Sequence, residues 1–237
     1  MRRGVEYPGA MRRTLILALL VLGAVAASAP ALRGQSAGTH PISGRQYAFP
    51  MSVDGAPWLE RRERVDEEEP DLALRLLRVA KGATVADIGA GSGYMTMRLA
   101  KIVGPMGRVY ANDIQPGMLE LLQKNVEKNK LTNVTPVLGA IDDPKLPPDS
   151  IDLAIMVDVY HELSQPQRML QRLRESLKTG GRLVLWEYRG EDPQVPILPL
   201  HKMTKAQVKQ ELEAEGFKQS RVFDDLPWQH LLVFVKP

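Results

Sequence analysis

Residues 85–94 read Val-Ala-Asp-Ile-Gly-Ala-Gly-Ser-Gly-Tyr, and this stretch decides the fold. A short apolar run passes directly into glycines at positions 89, 91 and 93, and an amphipathic stretch follows over 94–103. This order predicts a strand, a tight turn and a helix, because glycine accepts positive φ and lets a ligand approach the backbone. The dinucleotide fingerprint G-x-G-x-x-G would need its third glycine at position 94, where the chain has Tyr94.

Outward from this stretch, apolar runs predict strands that alternate with amphipathic helices. A helix begins at 66–70, others cover 94–103 and 166–177, one opens at Pro116, and one opens at Thr204 with Gln207 in capping-box position. Strands joined through helices by short turns indicate a parallel sheet covered on both faces. The predicted strands are 84–88, 108–112, 134–138, 151–157, 182–188, 219–223 and 230–235.

The spacing Asp-x-Gly-x-Gly-x-Gly from Asp87 to Gly93 resembles the first motif of the class I S-adenosylmethionine (SAM) dependent methyltransferases. The order of elements over residues 66–237 resembles that family as well. The resemblance implies a doubly wound, Rossmann-like α/β fold with seven strands, mostly parallel, and a C-terminal antiparallel strand. It implies SAM as the cofactor. A non-catalytic SAM-binding or sensor domain and an NAD-dependent oxidoreductase on the same fold remain alternatives.

Ligands of doubly wound sheets bind at the carboxyl ends of the strands. There the resemblance assigns the methionine part of SAM to Asp87 and the glycine loop, and the ribose hydroxyls to Asp113, twenty residues beyond Gly93. Asp142, with Asp143 as the other choice, is assigned to the adenine amino group. The full set of predicted cofactor-binding residues is Asp87, Gly89, Gly91, Gly93, Asp113, Asp142 and Asp158.

The segment after the fourth predicted strand, 156–163, is expected to face the methyl acceptor. His161 is the candidate general base, because its unperturbed pKa lies near neutrality, and Tyr160 is the second candidate catalytic residue. The Asn/Asp-Pro-Pro-Tyr/Phe motif of enzymes that methylate planar amides or exocyclic amines is missing. Metal-dependent relatives carry an Asp-Asn pair after the fifth strand, and residues 187–189 lack it, so no metal is expected.

Two segments are candidate lids over the same edge of the sheet. Residues 193–203 are proline-rich, and His201 could reach into the site, although an ordinary crossover is slightly favoured. Residues 58–69 are rich in Arg and Glu, and Trp58, Arg61 and Arg64 could touch an anionic acceptor; a solvated charged helix is the preferred interpretation.

The formal net charge of +3 comes from the amino terminus, where four arginines face one glutamate, so residues 30–237 are balanced. A neutral domain with few aromatic residues offers no basic surface for nucleic acid, and a small-molecule acceptor is expected. The absence of cysteine excludes disulfides, thiolate metal sites and a cysteine nucleophile.

The amino terminus contains an uninterrupted apolar run over 15–27, preceded by Arg12 and Arg13. The run is shorter than the about 20 apolar residues of a membrane span and has the length of the apolar part of a signal peptide. The pattern therefore predicts a signal peptide or membrane anchor over 1–31. A linker and lid segment over 32–65 and a methyltransferase domain over 66–237 would follow. We therefore expect an exported (periplasmic or secreted) or membrane-anchored protein, or a cytoplasmic one if the start codon is misassigned.

Overall fold

The computed structural model describes residues 38–237. The predicted signal peptide or anchor, 1–31, lies outside this range. Between residues 38 and 237, no helix combines the length and hydropathy that a bilayer span requires.

One mixed sheet organises the molecule. Its strands are β1 Thr84–Ile88, β2 Arg108–Asp113, β3 Val134–Leu138, β4 Ile151–Val157, β5 Leu177–Arg189, β6 Lys202–Met203, β7 Lys218–Phe223 and β8 Gln229–Val235. They run in the order β3-β2-β1-β4-β5-β8-β7, with the two-residue β6 beside β5. Strands β1 to β5 are parallel, whereas β8 is antiparallel to both β5 and β7. The predicted doubly wound, Rossmann-like class is therefore confirmed.

Helices cover both faces of the sheet, and local sequence explains where several of them begin. Proline occupies the first position of three of them, where its missing N–H costs nothing. The Thr204 side chain accepts from the Gln207 N–H, and Gln207 reaches back to the Thr204 N–H, so the predicted capping box is confirmed. The helices are α1 Ala56–Leu59, α2 Arg64–Glu68, α3 Pro70–Leu77, α4 Tyr94–Val103, α5 Pro116–Lys128, α6 Pro166–Ser176 and α7 Lys205–Ala214.

The core consists of two main apolar clusters, one on each face of the sheet. Successive side chains of a strand point to opposite faces, so Ala154 and Met156 of β4 join one cluster and Leu153 and Ile155 join the other. Both sets are buried. The continuous apolar runs that predicted the strands are thus explained by helices on both sides.

The structure differs from the prediction around Gly180. The sequence predicts a helix to residue 177 that stops at two glycines, followed by a strand from 182. Instead, α6 ends at Ser176, and β5 already begins at Leu177, which pairs with Ile151 across a register shift. The reason is that Gly180, with φ of 76°, lets the strand continue through an irregularity rather than forming a separate turn.

Residues 38–56, whose composition suggests a linker, pack against the domain. Tyr47, Ala48 and Ala56 are buried, and the Ala48 N–H donates to the His161 carbonyl oxygen over 3.0 Å. This segment therefore contributes to the wall of the site described next.

Candidate active site

A cavity of about 730 Å³ lies at the carboxyl ends of the parallel strands. The glycine loop after β1, the end of β2 and the segment after β4 form its floor. Its walls come from residues 49–51, from α1 and from residues 196–201. This is the location that a doubly wound sheet predicts for a ligand.

The glycine loop is closely packed. Gly89 has φ of 69°, and a Cβ there would lie 2.5 Å from Cγ2 of Val159. Gly91 has φ of 55°, and its Cβ would lie 3.0 Å from Leu59. Both glycines line the cavity, whereas Gly93 precedes α4 and does not. A side chain at either lining position would therefore disturb the cavity wall.

Asp113 connects the loop to the end of β2. Its Oδ2 accepts from the Gly91 N–H and its Oδ1 from the Gln115 N–H, both over 2.9 Å. Burial raises the pKa of this carboxyl, and the two backbone donors oppose the shift. Each oxygen keeps a further lone pair, so the carboxylate can still accept from a pair of hydroxyls.

Apolar side chains surround the space beyond Asp113. Ile114, Met118 and Ile141 line this part of the cavity, and Ile114 and Ile141 are exposed. Such surfaces suit the faces of an aromatic base. Asp142 is adjacent in sequence, yet it is absent from the residues that line the cavity, and Asp143 instead accepts from the Lys145 N–H.

Asp87 lies behind the glycine loop rather than in the cavity. It is 2% exposed, and its Oδ2 accepts from the Thr96 hydroxyl over 2.6 Å. Burial raises its pKa to about 6, although the Thr96 hydrogen bond and Arg64 act in the opposite direction. Its observed contact therefore joins the end of β1 to the first turn of α4.

Asp158 follows β4 in the left-handed conformation, with φ of 55°. It lines the cavity, and its Oδ2 accepts from Nε2 of Gln229 over 2.7 Å. Its Oδ1 has no hydrogen-bond partner within residues 38–237. Burial raises its pKa well above the ordinary value, as do the carboxylates of Glu68 and Glu187. Oδ1 is thus a buried oxygen without a partner beside the cavity.

Histidines and carboxyl groups form another part of the cavity wall. Nδ1 of His161 lies 2.6 Å from Oε2 of Glu187, and Nε2 of His161 lies 3.0 Å from Nδ1 of His201. The other oxygen of Glu187 accepts from the Tyr160 N–H over 2.8 Å, which orients the carboxylate. Burial acts to lower the pKa of His161, but Glu187 outweighs it and the pKa is raised. Burial and the neighbouring His161 lower the pKa of His201.

Tyr160 does not face the cavity, which corrects its assignment as an acceptor-facing residue. It is fully buried, and its ring packs in the core with the Arg45 guanidinium 5.0 Å from the ring centroid. The left-handed turn at Asp158 leads into a short 3₁₀ helix, Tyr160–Glu162. Neighbours in such a helix point in different directions, so His161 and Glu162 line the cavity while Tyr160 lies in the core.

Glu162, Phe49 and Leu198 were not among the predicted site residues, although Glu162 lies within the segment 156–163 that was expected to face the acceptor. Phe49, Trp58 and Leu198 line the cavity, and all three are exposed. Trp58 and His201 were only secondary candidates in the sequence. Glu162 stands directly beside a predicted site residue, which was the available signal for it.

Comparison with known proteins decides the family. A model described as "Methyltransferase domain" matches residues 80–231. A Sulfurisphaera tokodaii protein named probable cobalt-precorrin-6B C(15)-methyltransferase (decarboxylating) is 32% identical over 164 residues, which cover 69% of this chain and 84% of the relative. The chain belongs to the class I SAM-dependent methyltransferases.

Solved structures agree with this family. A SAM-dependent methyltransferase from Aquifex aeolicus superposes with a TM-score of 0.76 at 26% identity, covering 79% of this chain and 100% of that one. The predicted family, enzyme class and cofactor are therefore confirmed. The NAD-dependent alternative is wrong.

The residues present fit SAM. The loop at Gly89 and Gly91 leaves no space for side chains, Asp113 offers carboxylate lone pairs beside apolar walls, and Asp158, whose Oδ1 has no partner within residues 38–237, lines the same cavity. These groups would hold the methionine part, the ribose and the adenine of the cofactor. When bound, SAM supplies a methyl group already activated by its sulfonium.

Proposed function

We propose that this methyltransferase acts on a small molecule with an apolar body and an ionisable hydroxyl, thiol or amine group. The observation that carries the proposal is one cavity lined by two chemically different groups of residues. One group is the glycine loop and Asp113, and the other is His161, Glu162 and His201. A cavity of about 730 Å³ is of the size that encloses small ligands.

The rim supports an apolar acceptor body. Phe49 is 52% exposed, Trp58 42% and Leu198 71%, and all three line the same cavity. Large apolar side chains grouped around a cavity mouth mark a binding surface, because exposing them to water is unfavourable. The one buried arginine in the lining, Arg64, is paired with Glu68 over 2.7 Å and offers little to an anionic acceptor.

His161 is the proposed acceptor-activating residue. Since the Glu187 carboxylate can only accept, Nδ1 of His161 donates to it, and Nε2 is the nitrogen with a lone pair. This nitrogen belongs to a residue in the cavity wall, where it can take the proton of an acceptor. The remaining task of the protein is to align the acceptor and exclude water.

The relatives do not identify the acceptor. The Sulfurisphaera tokodaii relative is named for a cobalt-precorrin, whereas a Methanothrix thermoacetophila relative, 31% identical over 113 residues, is named a protein-L-isoaspartate O-methyltransferase. The second alignment covers 46% of this chain and 50% of that relative. Because two relatives of similar identity are named for different acceptors, the proposed acceptor class rests on the residues that line the cavity.

The test combines binding with turnover. Calorimetry of the full-length protein with SAM and S-adenosylhomocysteine should give micromolar binding, with NAD as the negative control. Formation of S-adenosylhomocysteine is then screened against phenols, thiols and amines with apolar bodies. His161→Ala should abolish turnover and keep SAM binding. Full turnover in that variant would exclude His161 from the chemistry, and turnover only on proteins or nucleic acids would overturn the small-molecule acceptor.

We further propose that residues 1–31 direct export or anchor the chain to a membrane. The support is the apolar run at 15–27 after Arg12 and Arg13. Fusing residues 1–36 to a reporter that is active only after export should give activity in a bacterial host, and deletion of 15–27 should remove it. Equal reporter activity in the two fusions would contradict the proposal.

A further inference from the structure

The part of the cavity wall that we propose to face the acceptor contains three side chains of the types that bind transition metals. His161, Glu162 and His201 each offer one ligand atom, and these three atoms all lie within 4.8 Å of one another. Two imidazoles and one carboxylate are a ligand set found for zinc and for other divalent transition metals. We propose that these three residues bind a divalent transition metal ion such as Zn²⁺. The proposal rests on the proposed function, because the metal would lie where the acceptor is expected.

The distances suit a common ion. Nε2 of His161 is 3.0 Å from Nδ1 of His201 and 3.9 Å from Oε1 of Glu162. Ligand atoms at about 2.1 Å from a tetrahedral zinc ion are roughly 3.4 Å from each other. The two observed separations lie on either side of that value, so shifts of about half an ångström would complete the geometry.

Glu187 supplies the supporting contact that metal-binding histidines generally have. Its Oε2 lies 2.6 Å from Nδ1 of His161, and in the neutral ring this hydrogen bond places the hydrogen on Nδ1 and leaves Nε2 free to bind a metal. Glu187 is itself fully buried and held by the Tyr160 N–H. The orientation of His161 is therefore determined before any metal arrives.

The backbone also fixes the other two ligands. Glu162 follows His161 in the short 3₁₀ helix after β4, and His201 ends the 3₁₀ helix Pro199–His201. The next residue, Lys202, pairs with Tyr188 of β5, which ties this crossover to the sheet. The three ligands thus come from two segments, one that follows β4 and one that is paired with the carboxyl end of β5.

The electrostatics of the wall favour a cation. The carboxyl groups of Asp158, Glu162 and Glu187 lie close enough to repel one another, whereas Arg64 is already paired with Glu68. A divalent cation would offset this repulsion among their ionised forms.

Three protein ligands leave a coordination position open, which is typical of catalytic rather than structural metal sites. Since all three residues line the cavity, this position faces the acceptor space. A hydroxyl or thiol bound there would release its proton to water more readily. Its heteroatom would then bond to the methyl carbon while the sulfur–methyl bond breaks, leaving S-adenosylhomocysteine. In this arrangement Nε2 of His161 is a ligand, and the metal replaces it as the acceptor-activating group.

The test measures metal binding without turnover. Full-length protein is stripped with a chelator, and Zn²⁺ is titrated in competition with a chromophoric chelator. We expect one ion per chain, with affinity reduced at least tenfold in His201→Ala and in Glu162→Gln. Glu187→Gln should weaken binding by about 10- to 100-fold through the loss of support for His161. Glu120→Gln, an exposed carboxylate on α5, is the matched control and should bind like the wild type.

Co²⁺ in place of Zn²⁺ should give the visible absorption of a site with nitrogen and oxygen ligands, and His201→Ala should lose it. Equal Zn²⁺ affinity in the wild type, His201→Ala and Glu162→Gln would show adventitious binding and overturn the proposal. SAM calorimetry on the same samples separates the two proposals. Metal binding without SAM binding would support the metal site and overturn the proposed function. SAM binding without metal binding would overturn the metal site and leave the proposed function standing.

Discussion

The Arg45 side chain donates its Nε–H to both carboxylate oxygens of Glu211, over 2.9 and 3.1 Å, although the two residues are 166 positions apart. Both side chains are buried, and the terminal nitrogens of Arg45 donate to the carbonyl oxygens of Tyr160 and His161. One guanidinium therefore joins the amino-terminal segment to α7 and to the segment that carries the candidate catalytic histidine. This contact keeps residues 38–49 against the active site.

Breaking this ion pair should be costly. Arg45→Met leaves the buried Glu211 carboxylate without its main partner, and we expect a loss of about 3 to 5 kcal/mol in the free energy of unfolding, measured with urea. The exposed pair Lys209–Glu213 in the same helix is the control, where Lys209→Met should cost less than about 1 kcal/mol. The double variant Arg45→Met/Glu211→Leu should recover part of the loss. Similar costs for Arg45→Met and Lys209→Met would contradict this account.

The two positive-φ glycines Gly89 and Gly82 should respond differently to alanine. Both have φ near +70°, but a Cβ at Gly82 meets nothing within 4 Å, whereas at Gly89 it would lie 2.5 Å from Val159. We expect Gly82→Ala to cost about 1 to 2 kcal/mol from backbone strain alone. Gly89→Ala should cost about 1 to 3 kcal/mol more from the clash and should weaken SAM binding. Unfolding and calorimetry check both, and equal costs would exclude the clash.

Asp113 and Asp142 should differ in their effect on SAM. Asp113→Ala removes a cavity carboxylate that also holds the Gly91 N–H, and we expect binding to weaken about 10- to 100-fold. Asp142→Ala is the matched control and should change the affinity less than about twofold, because Asp142 does not line the cavity. Calorimetry with SAM measures both affinities. A loss in Asp142→Ala as large as that in Asp113→Ala would support the adenine contact that the sequence predicted.

Asp87 should make stability depend on pH. Its pKa is raised from 3.8 to about 6 by burial, so the folded state retains a proton between these values that the unfolded state has lost. The stability contributed by the protonated form is present below pH 3.8 and is lost as the pH rises through about 6, by about 3 kcal/mol. Asp87→Asn removes this dependence. The free energy of unfolding of Asp87→Asn minus that of the wild type, measured without SAM, should therefore increase from pH 4 to 7.5, because only the wild type loses this contribution. A difference that stays constant with pH would contradict the prediction.

The elements of the fold that were predicted correctly are those whose signal is local. The bounds of β1, β3 and β4 match the prediction, and for the largely buried β1 and β4 the reason is that strands covered on both faces need mostly apolar sequence. The capping box at Thr204 depends on residues three positions apart and could also be predicted. The end of α6 could not be predicted, because Leu177 pairs as a strand residue with the distant Ile151 instead of extending the helix.

The glycine loop, Asp113 and the family they indicate follow from residues close together in the chain, because glycine conformation and the alternation of strands and helices along the chain have local signals. Tertiary structure decided the rest of the site. The direction of Tyr160, the contact of His161 with His201 forty residues away and the contact of Arg45 with Glu211 depend on how separate segments pack. Such contacts leave no periodic pattern in a sequence, since long-range packing sets side-chain direction once the backbone leaves regular structure.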